Sequence, residues 1–255
     1  MERITSKTNK IVKDTKKLMT SSRERRERSL FVLEGARLCF DVLNSVYKVK
    51  TLLITDKAYE KYKDSADALI KESEASYFIS EEVAEKLGDT QNSQGVFAVC
   101  KMQPSPEVIG EKVIALDCVQ DPANIGAVFR TAEALGIDTV ITYSCCDLYN
   151  PKALRASMGG VLRLAAYGTD NLKALLSELK GEYKIYSTVA EPCAIGITEA
   201  DFSGKTVCVI GNEANGVEAQ IKDISDALIT IPMKGNAESL NAGVAAAITM
   251  WEMLR

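Results

Sequence analysis

Four short segments carry more polar and small residues than a plain turn requires. "DPANIGAVFRTA" sets Asn124 and Gly126 at the entrance of an apolar run that also holds Arg130. "GNEANGV" frames Glu213 between Gly211 and Gly216. "IPMKGNAESLNAGVAAA" places Gly235, Asn236, Ser239 and Asn241 ahead of an apolar stretch. "NPKALRASMGG" puts Lys152, Arg155 and Ser157 before the pair Gly159-Gly160. A polar side chain at the start of an apolar helix needs a partner. Glycines beside it let a backbone or a ligand come close. The local reading of Arg130 is a surface arginine that snorkels from the helix. The segment with Lys152 and Arg155 reads as a flexible basic loop beside a sheet end, which suits a polyanion.

The chain has no histidine. That removes Ser-His-Asp and Cys-His catalysis and every metal motif that needs an imidazole. Its seven cysteines include no C-x-x-C pair and sit mostly in apolar runs, so a zinc site or a disulfide framework is not expected, and no metal is. The adjacent Cys145-Cys146 leaves a redox pair as a minor reading. Neither G-x-G-x-x-G nor G-x-x-x-x-G-K-[ST] occurs, which argues against an ordinary Rossmann enzyme or a P-loop enzyme.

The elements that must position these residues alternate. In residues 1–101 the pattern runs from a basic amphipathic helix with Ile11, Leu18 and Met19 inward through strands at "VKTLLITD", "SYFIS" and "GVFAVCKM". This predicts a smaller α/β domain. "QPSPEVIGEK", with Pro104 and Pro106, reads as a linker over 102–111. Residues 112–255 restart with "KVIALDCV" and alternate strands with helices, which predicts a parallel sheet covered on both faces. The functional segments all follow strands, where open α/β sheets bind ligands. Asp121 or Asn124 caps one helix and Ser239 caps the last. Leu240, Val244, Ala247, Ile248, Trp251 and Leu254 are expected to form that helix's buried face.

A chain of 255 residues with 46% hydrophobic and 26% charged residues can build a sizeable core. It has no long apolar run and no signal-like start, so no membrane partner and a cytoplasmic location are expected. The net charge is −4, but residues 1–30 carry ten basic and four acidic side chains. Lys7, Lys10, Lys13, Arg23, Arg25 and Arg26 belong to that run. Such a segment either tracks a phosphate backbone or is a solvated helix face.

Taken together, "DPANIGAVFRTA", "IGNEANGV" and "IPMKGNAESLNAGVAAA" resemble, in order and spacing, the three motifs of the SpoU (TrmH-like) RNA ribose methyltransferases. "ITSKTNKIVKDTKKL" and "RRERSLFVLEGARL" resemble the RNA-binding domain that precedes them in many members. The resemblance implies an S-adenosylmethionine-dependent RNA 2′-O-ribose methyltransferase, acting on ribosomal RNA rather than transfer RNA. A catalytically silent RNA-binding homologue is the other class. It also implies a SPOUT-type parallel sheet with a deep trefoil knot, and a homodimer formed through the C-terminal domain. Catalytic roles would fall on Arg130, Asn124, Glu213, Ser239 and Asn241, with Glu213 orienting Arg130. The cofactor would be held by Thr188, Gly211, Asn212, Glu213, Gly216, Ile231, Met233, Ser239 and Leu240. RNA would meet the basic residues named above together with Lys152 and Arg155. One departure stands out: Gly243 occupies a position where many members have serine.

Overall fold

The computed structural model describes residues 1–89, 94–191 and 193–255. The chain divides into two compact units. The first comprises Met1–Pro104 with Tyr149–Arg163, the second Ser105–Leu148 with Leu164–Arg255. The segment Tyr149–Arg163, read from sequence as part of the C-terminal domain, thus belongs with the first unit.

In the first unit, β1 (Glu2–Ile4), β2 (Leu30–Glu34), β3 (Val49–Thr55), β4 (Ala75–Ile79) and β5 (Val96–Lys101) form a mixed sheet ordered β1-β4-β3-β5-β2. β5 runs antiparallel to β2 and β3, and the other pairs are parallel. The basic N-terminal segment is not a free arm. β1 pairs with β4, and the helix Lys10–Thr20 buries Val12, Leu18 and Met19 in the core beside Val32 and Leu87. Asn9 caps that helix by accepting from the Ile11 N–H at 2.8 Å. The three-residue β1 and the short polar helices Ser22–Arg28 and Asp56–Lys61 were not evident in the sequence, because they carry too few apolar positions to show a period.

The second unit is a seven-stranded sheet, parallel throughout. Its strands are β6 (Lys112–Asp117), β7 (Thr139–Tyr143), β8 (Ala165–Thr169), β9 (Lys184–Thr188), β10 (Ile195–Gly196), β11 (Thr206–Ile210) and β12 (Ala227–Thr230). Their order is β10-β12-β9-β11-β6-β7-β8. β11 is buried along its whole length and β6 in all but its first residue, as helices on both faces of a parallel sheet demand. The neighbours β12, β9, β11 and β6 release their following loops at one edge, and three of the functional segments are those loops.

Two sequence expectations change. "NPKALRASMGG" is not a flexible loop. Asn150 caps a helix, Pro151–Ser157, by accepting from the Lys152 N–H at 2.9 Å, and Pro151 fits its first turn. Met158 and Gly159 then take left-handed backbone and start the helix Gly160–Arg163. The last helix runs Ala242–Met253 and is capped by Asn241, not Ser239. It packs on the helix Pro122–Leu135 and on β11 through small residues, burying Ala242, Gly243, Ala246, Thr249, Met250 and Met253. The larger apolar stripe faces out instead: Val244, Ile248, Trp251 and Leu254 are 48%, 37%, 63% and 38% exposed. Small side chains in its first turns permit a close helix approach, Met250 and Met253 fill the space further along, and the other bulky residues are left on the opposite side.

Candidate active site

Asp121 caps the helix Pro122–Leu135 by accepting from the Ala123 N–H at 2.8 Å. That frees Asn124, which is buried, for a second task. Its Nδ2 donates to Glu213 Oε1 at 2.7 Å, and its Oδ1 accepts from Asn241 Nδ2 at 2.9 Å. Asn241 Oδ1 accepts in turn from the backbone N–H groups of Gly243 and Val244, at 2.9 and 3.2 Å. One polar chain therefore joins three strand-end segments that lie 89 and 117 residues apart from Asn124. It answers why the last helix has so polar an entrance.

The Glu213 loop is itself tied down. Asn212 Nδ2 donates to the Cys118 carbonyl at 2.7 Å, and its Oδ1 accepts from Ala214 N–H at 2.8 Å. The Glu218 N–H donates to Asp117 Oδ2 at 2.8 Å. Gly211 has no room for a side chain, since a Cβ there would run into the backbone of Gly216 and Val217. Asp117 is fully buried, and that burial raises its carboxyl above the usual range. Burial likewise pushes the Cys118 and Cys146 thiols up to about 12 and Cys145 up to about 11. At neutral pH these remain thiols and are poor nucleophiles. Asp117, Cys118 and Glu218 bring three ligand-type atoms within 4.8 Å of one another, a cluster already knitted by the Glu218 N–H.

Beside this chain lies a cavity of about 390 Å³. Thr188, Gly211, Asn212, Glu213, Gly216, Ile231, Met233, Ser239 and Leu240 all line it. So do Glu191, Lys222 and Glu238, which sequence reasoning missed. Glu191 lies three residues beyond the end of β9, so a search of that strand's loop would have reached it. Thr188 spends its hydroxyl on the Val209 carbonyl at 2.9 Å. Ile210, Val217, Ile231 and Leu240 supply apolar wall. Three carboxylates, Glu191, Glu213 and Glu238, face one ammonium, Lys222, so the lining favours a cation.

Arg130 is separate from Glu213. Its side chain is exposed, and among the described residues no hydrogen bond or ion pair holds it. Glu213 is paired with Asn124 rather than orienting the arginine.

In the first unit, Lys7, Lys10, Lys13, Arg23, Arg26 and Lys152 are exposed. Arg23 meets Glu27 at 2.6 Å. Two expected RNA contacts are corrected. Arg25 is 3% exposed and donates to the Leu18 carbonyl at 2.6 Å and the Met19 carbonyl at 3.2 Å, which staples two helices. Arg155 pairs with Glu34, whose side chain is almost fully buried, at 3.4 Å and with Asp89 at 2.8 Å. A buried carboxylate needs such a partner, so this guanidinium is committed.

Residues 111–251 match the SpoU rRNA Methylase family model, and residues 9–98 match the MRM3-like substrate binding domain. The chain is 34% identical to 23S rRNA (guanosine(2553)-2′-O)-methyltransferase RlmP of Bacillus subtilis, over 99% of both chains. It is 33% identical to 23S rRNA (guanosine-2′-O-)-methyltransferase RlmB of Acinetobacter baylyi, over 69% of this chain and 76% of that one. An AdoMet-bound rRNA methyltransferase from Sinorhizobium meliloti superposes with a TM-score of 0.88 at 27% identity, over 99% and 97% of the two chains. Fold, motif geometry and relatives agree: the chain belongs to the SpoU rRNA methylase family.

Proposed function

We propose that this protein is an S-adenosylmethionine-dependent RNA 2′-O-ribose methyltransferase acting on ribosomal RNA. The observation that carries the proposal is that Glu213 both lines the cavity and bonds Asn124, which joins a ligand pocket to the polar chain beside it. The lining suits the cofactor: apolar walls for an adenine ring, polar groups for ribose hydroxyls, and a surplus of carboxylates for a sulfonium. Bound there, S-adenosylmethionine supplies a methyl group on a positively charged sulfur.

The protein's own part is positioning. Asn124, fixed by Glu213 and Asn241, holds the loop edge against which the ribose lies. Ser239, exposed on the cavity rim, is free to meet the ribose or the cofactor. A guanidinium donates hydrogen bonds and accepts none, so Arg130 acts as a clamp for the phosphate next to the reacting hydroxyl and not as a base. The exposed lysines of the first unit bind RNA backbone. The cavity-lining loops are those the family ties into a trefoil knot, and this reading includes that knot. It also places the protein in the cytoplasm as a homodimer, a second copy covering Val244, Ile248, Trp251 and Leu254.

The test uses purified protein, tritiated S-adenosylmethionine, and total RNA or ribosomal subunits from a strain lacking the gene. Label confined to one rRNA position, resistant to alkaline cleavage there, is the expected result. Label in transfer RNA would overturn the substrate. Label on a base would overturn the chemistry, and no label in any RNA would leave a silent RNA-binding homologue.

A further inference from the structure

The cavity holds one ion pair that the motifs do not explain. Lys222 Nζ meets Glu191 Oε1 at 2.9 Å, and both residues line the cavity. They come from different places, Glu191 from the loop after β9 and Lys222 from the short helix Ala219–Lys222 that follows the Glu213 loop. Among the described residues, Lys222 is the one cation that lines the cavity. The pair is only partly exposed, with side chains 30% and 41% accessible, so it is neither free in solvent nor sealed in the core. Glu213, by contrast, is taken by Asn124.

A ligand with an adenosine end and an amino-acid end presents one ammonium and one carboxylate. A fixed carboxylate beside a fixed ammonium is the complement of that zwitterion. The adenosine end asks for apolar wall, which Ile210, Val217, Ile231 and Leu240 supply. Resting on the cofactor reading above, we propose that Glu191 and Lys222 read the amino-acid tail of the cofactor. Glu191 accepts from the α-ammonium and Lys222 donates to the α-carboxylate. The two pair with each other at 2.9 Å, which holds both in place. The bound tail adds an opposite charge to each without leaving either alone. This makes the pair a determinant of cofactor specificity, separating a full cofactor from fragments that keep only the adenosine.

The experiment is isothermal titration of the full-length protein with S-adenosylmethionine, S-adenosylhomocysteine and 5′-methylthioadenosine. The last lacks the amino-acid tail. Lys222→Met and Glu191→Gln are each expected to weaken the first two ligands roughly tenfold, as lost charge-assisted bonds do, and to leave methylthioadenosine unchanged. A bland alternative is that the pair merely staples two loops. The double variant Glu191→Lys/Lys222→Glu separates the two: a staple would be restored and tail binding would not. Restored S-adenosylmethionine affinity in the double variant overturns the proposal. So does a single variant that weakens methylthioadenosine as much as the tailed ligands, since Glu191 would then be reading the ribose. If the wild-type protein binds neither tailed ligand, the cofactor reading itself falls.

Discussion

Asn124 Nδ2 lies 2.7 Å from Glu213 Oε1, across 89 residues of sequence. The same Asn124 holds Asn241 through its other amide atom. An asparagine is suited to this place because it donates and accepts at once. Alanine at 124 would leave a carboxylate and an amide without their partner beside the cavity. Asn124→Ala is expected to cost about 1–3 kcal/mol of stability and to slow methyl transfer on the order of 10²-fold through misplacement. Thermal melts and single-turnover transfer measure the two effects. A variant with normal transfer would remove the polar chain from the reaction.

Arg130 makes the opposite case. It is exposed and holds no partner among the described residues, so nothing in the fold depends on it. Arg130→Ala is expected to change stability by no more than about 0.5 kcal/mol while transfer is lost. Arg130→Lys keeps the charge but not the fork, and intermediate activity is expected. Full activity in the alanine variant would end the clamp role.

The outward stripe of the last helix predicts assembly. Trp251→Glu or Ile248→Glu places a charge in a face that a second copy would cover. Sedimentation is expected to show the mass fall from twice the chain to once, with the fold retained. A wild-type protein that sediments as a monomer would refute the dimer.

Removing residues 1–30 would take away β1 and the Val12–Leu18 packing, and would test folding rather than RNA binding. Lys7, Lys10 and Lys13 are exposed and can be neutralised without touching that core. The triple alanine variant is expected to lower the slope of log affinity against log salt by roughly 2–3. An unchanged slope would take this surface out of the RNA interface.

Asp117 predicts a pH effect with a definite sign. Burial raises its folded-state value, so the folded protein keeps the proton after the unfolded chain has lost it. Its favourable contribution is complete below about 3.9, the unfolded value, and is lost as pH rises through the raised value. Asp117→Asn escapes that loss. Its melting temperature relative to wild type is therefore expected to be higher at pH 8 than at pH 4. Equal differences at both values would show that Asp117 is not raised.

How much of this was legible in the sequence depends on the reach of each signal. The β6, β9, β11 and β12 strands announced themselves because a parallel sheet buries both faces and leaves continuous apolar runs. The cavity-lining residues could be named because motif order survives at long range even when contacts do not show. The partner of Glu213 was not legible, since neither Arg130 nor Asn124 carries any local mark of what it meets. Arg25 and Arg155 looked like RNA ligands because charge pattern says nothing of burial. The last helix misled for a similar reason: apolar periodicity finds a stripe, and the stripe found here, Val244 through Leu254, is the exposed one. Ala242, Gly243 and Ala246 begin the buried contact that Met250 and Met253 continue, and such small residues barely register on a pattern of this kind.

The segment Tyr149–Arg163 completes the first unit although it comes after the second has begun. Phe31 stacks on Tyr149 with ring centroids 4.5 Å apart, and Arg155 answers Glu34. On the ribosome, then, the first 104 residues emerge with an unfilled aromatic site and without the arginine that answers Glu34. They can finish only once residue 163 has left the exit tunnel, when most of the second unit, Leu164–Arg255, has yet to emerge. Order of synthesis and order of folding do not coincide in this chain.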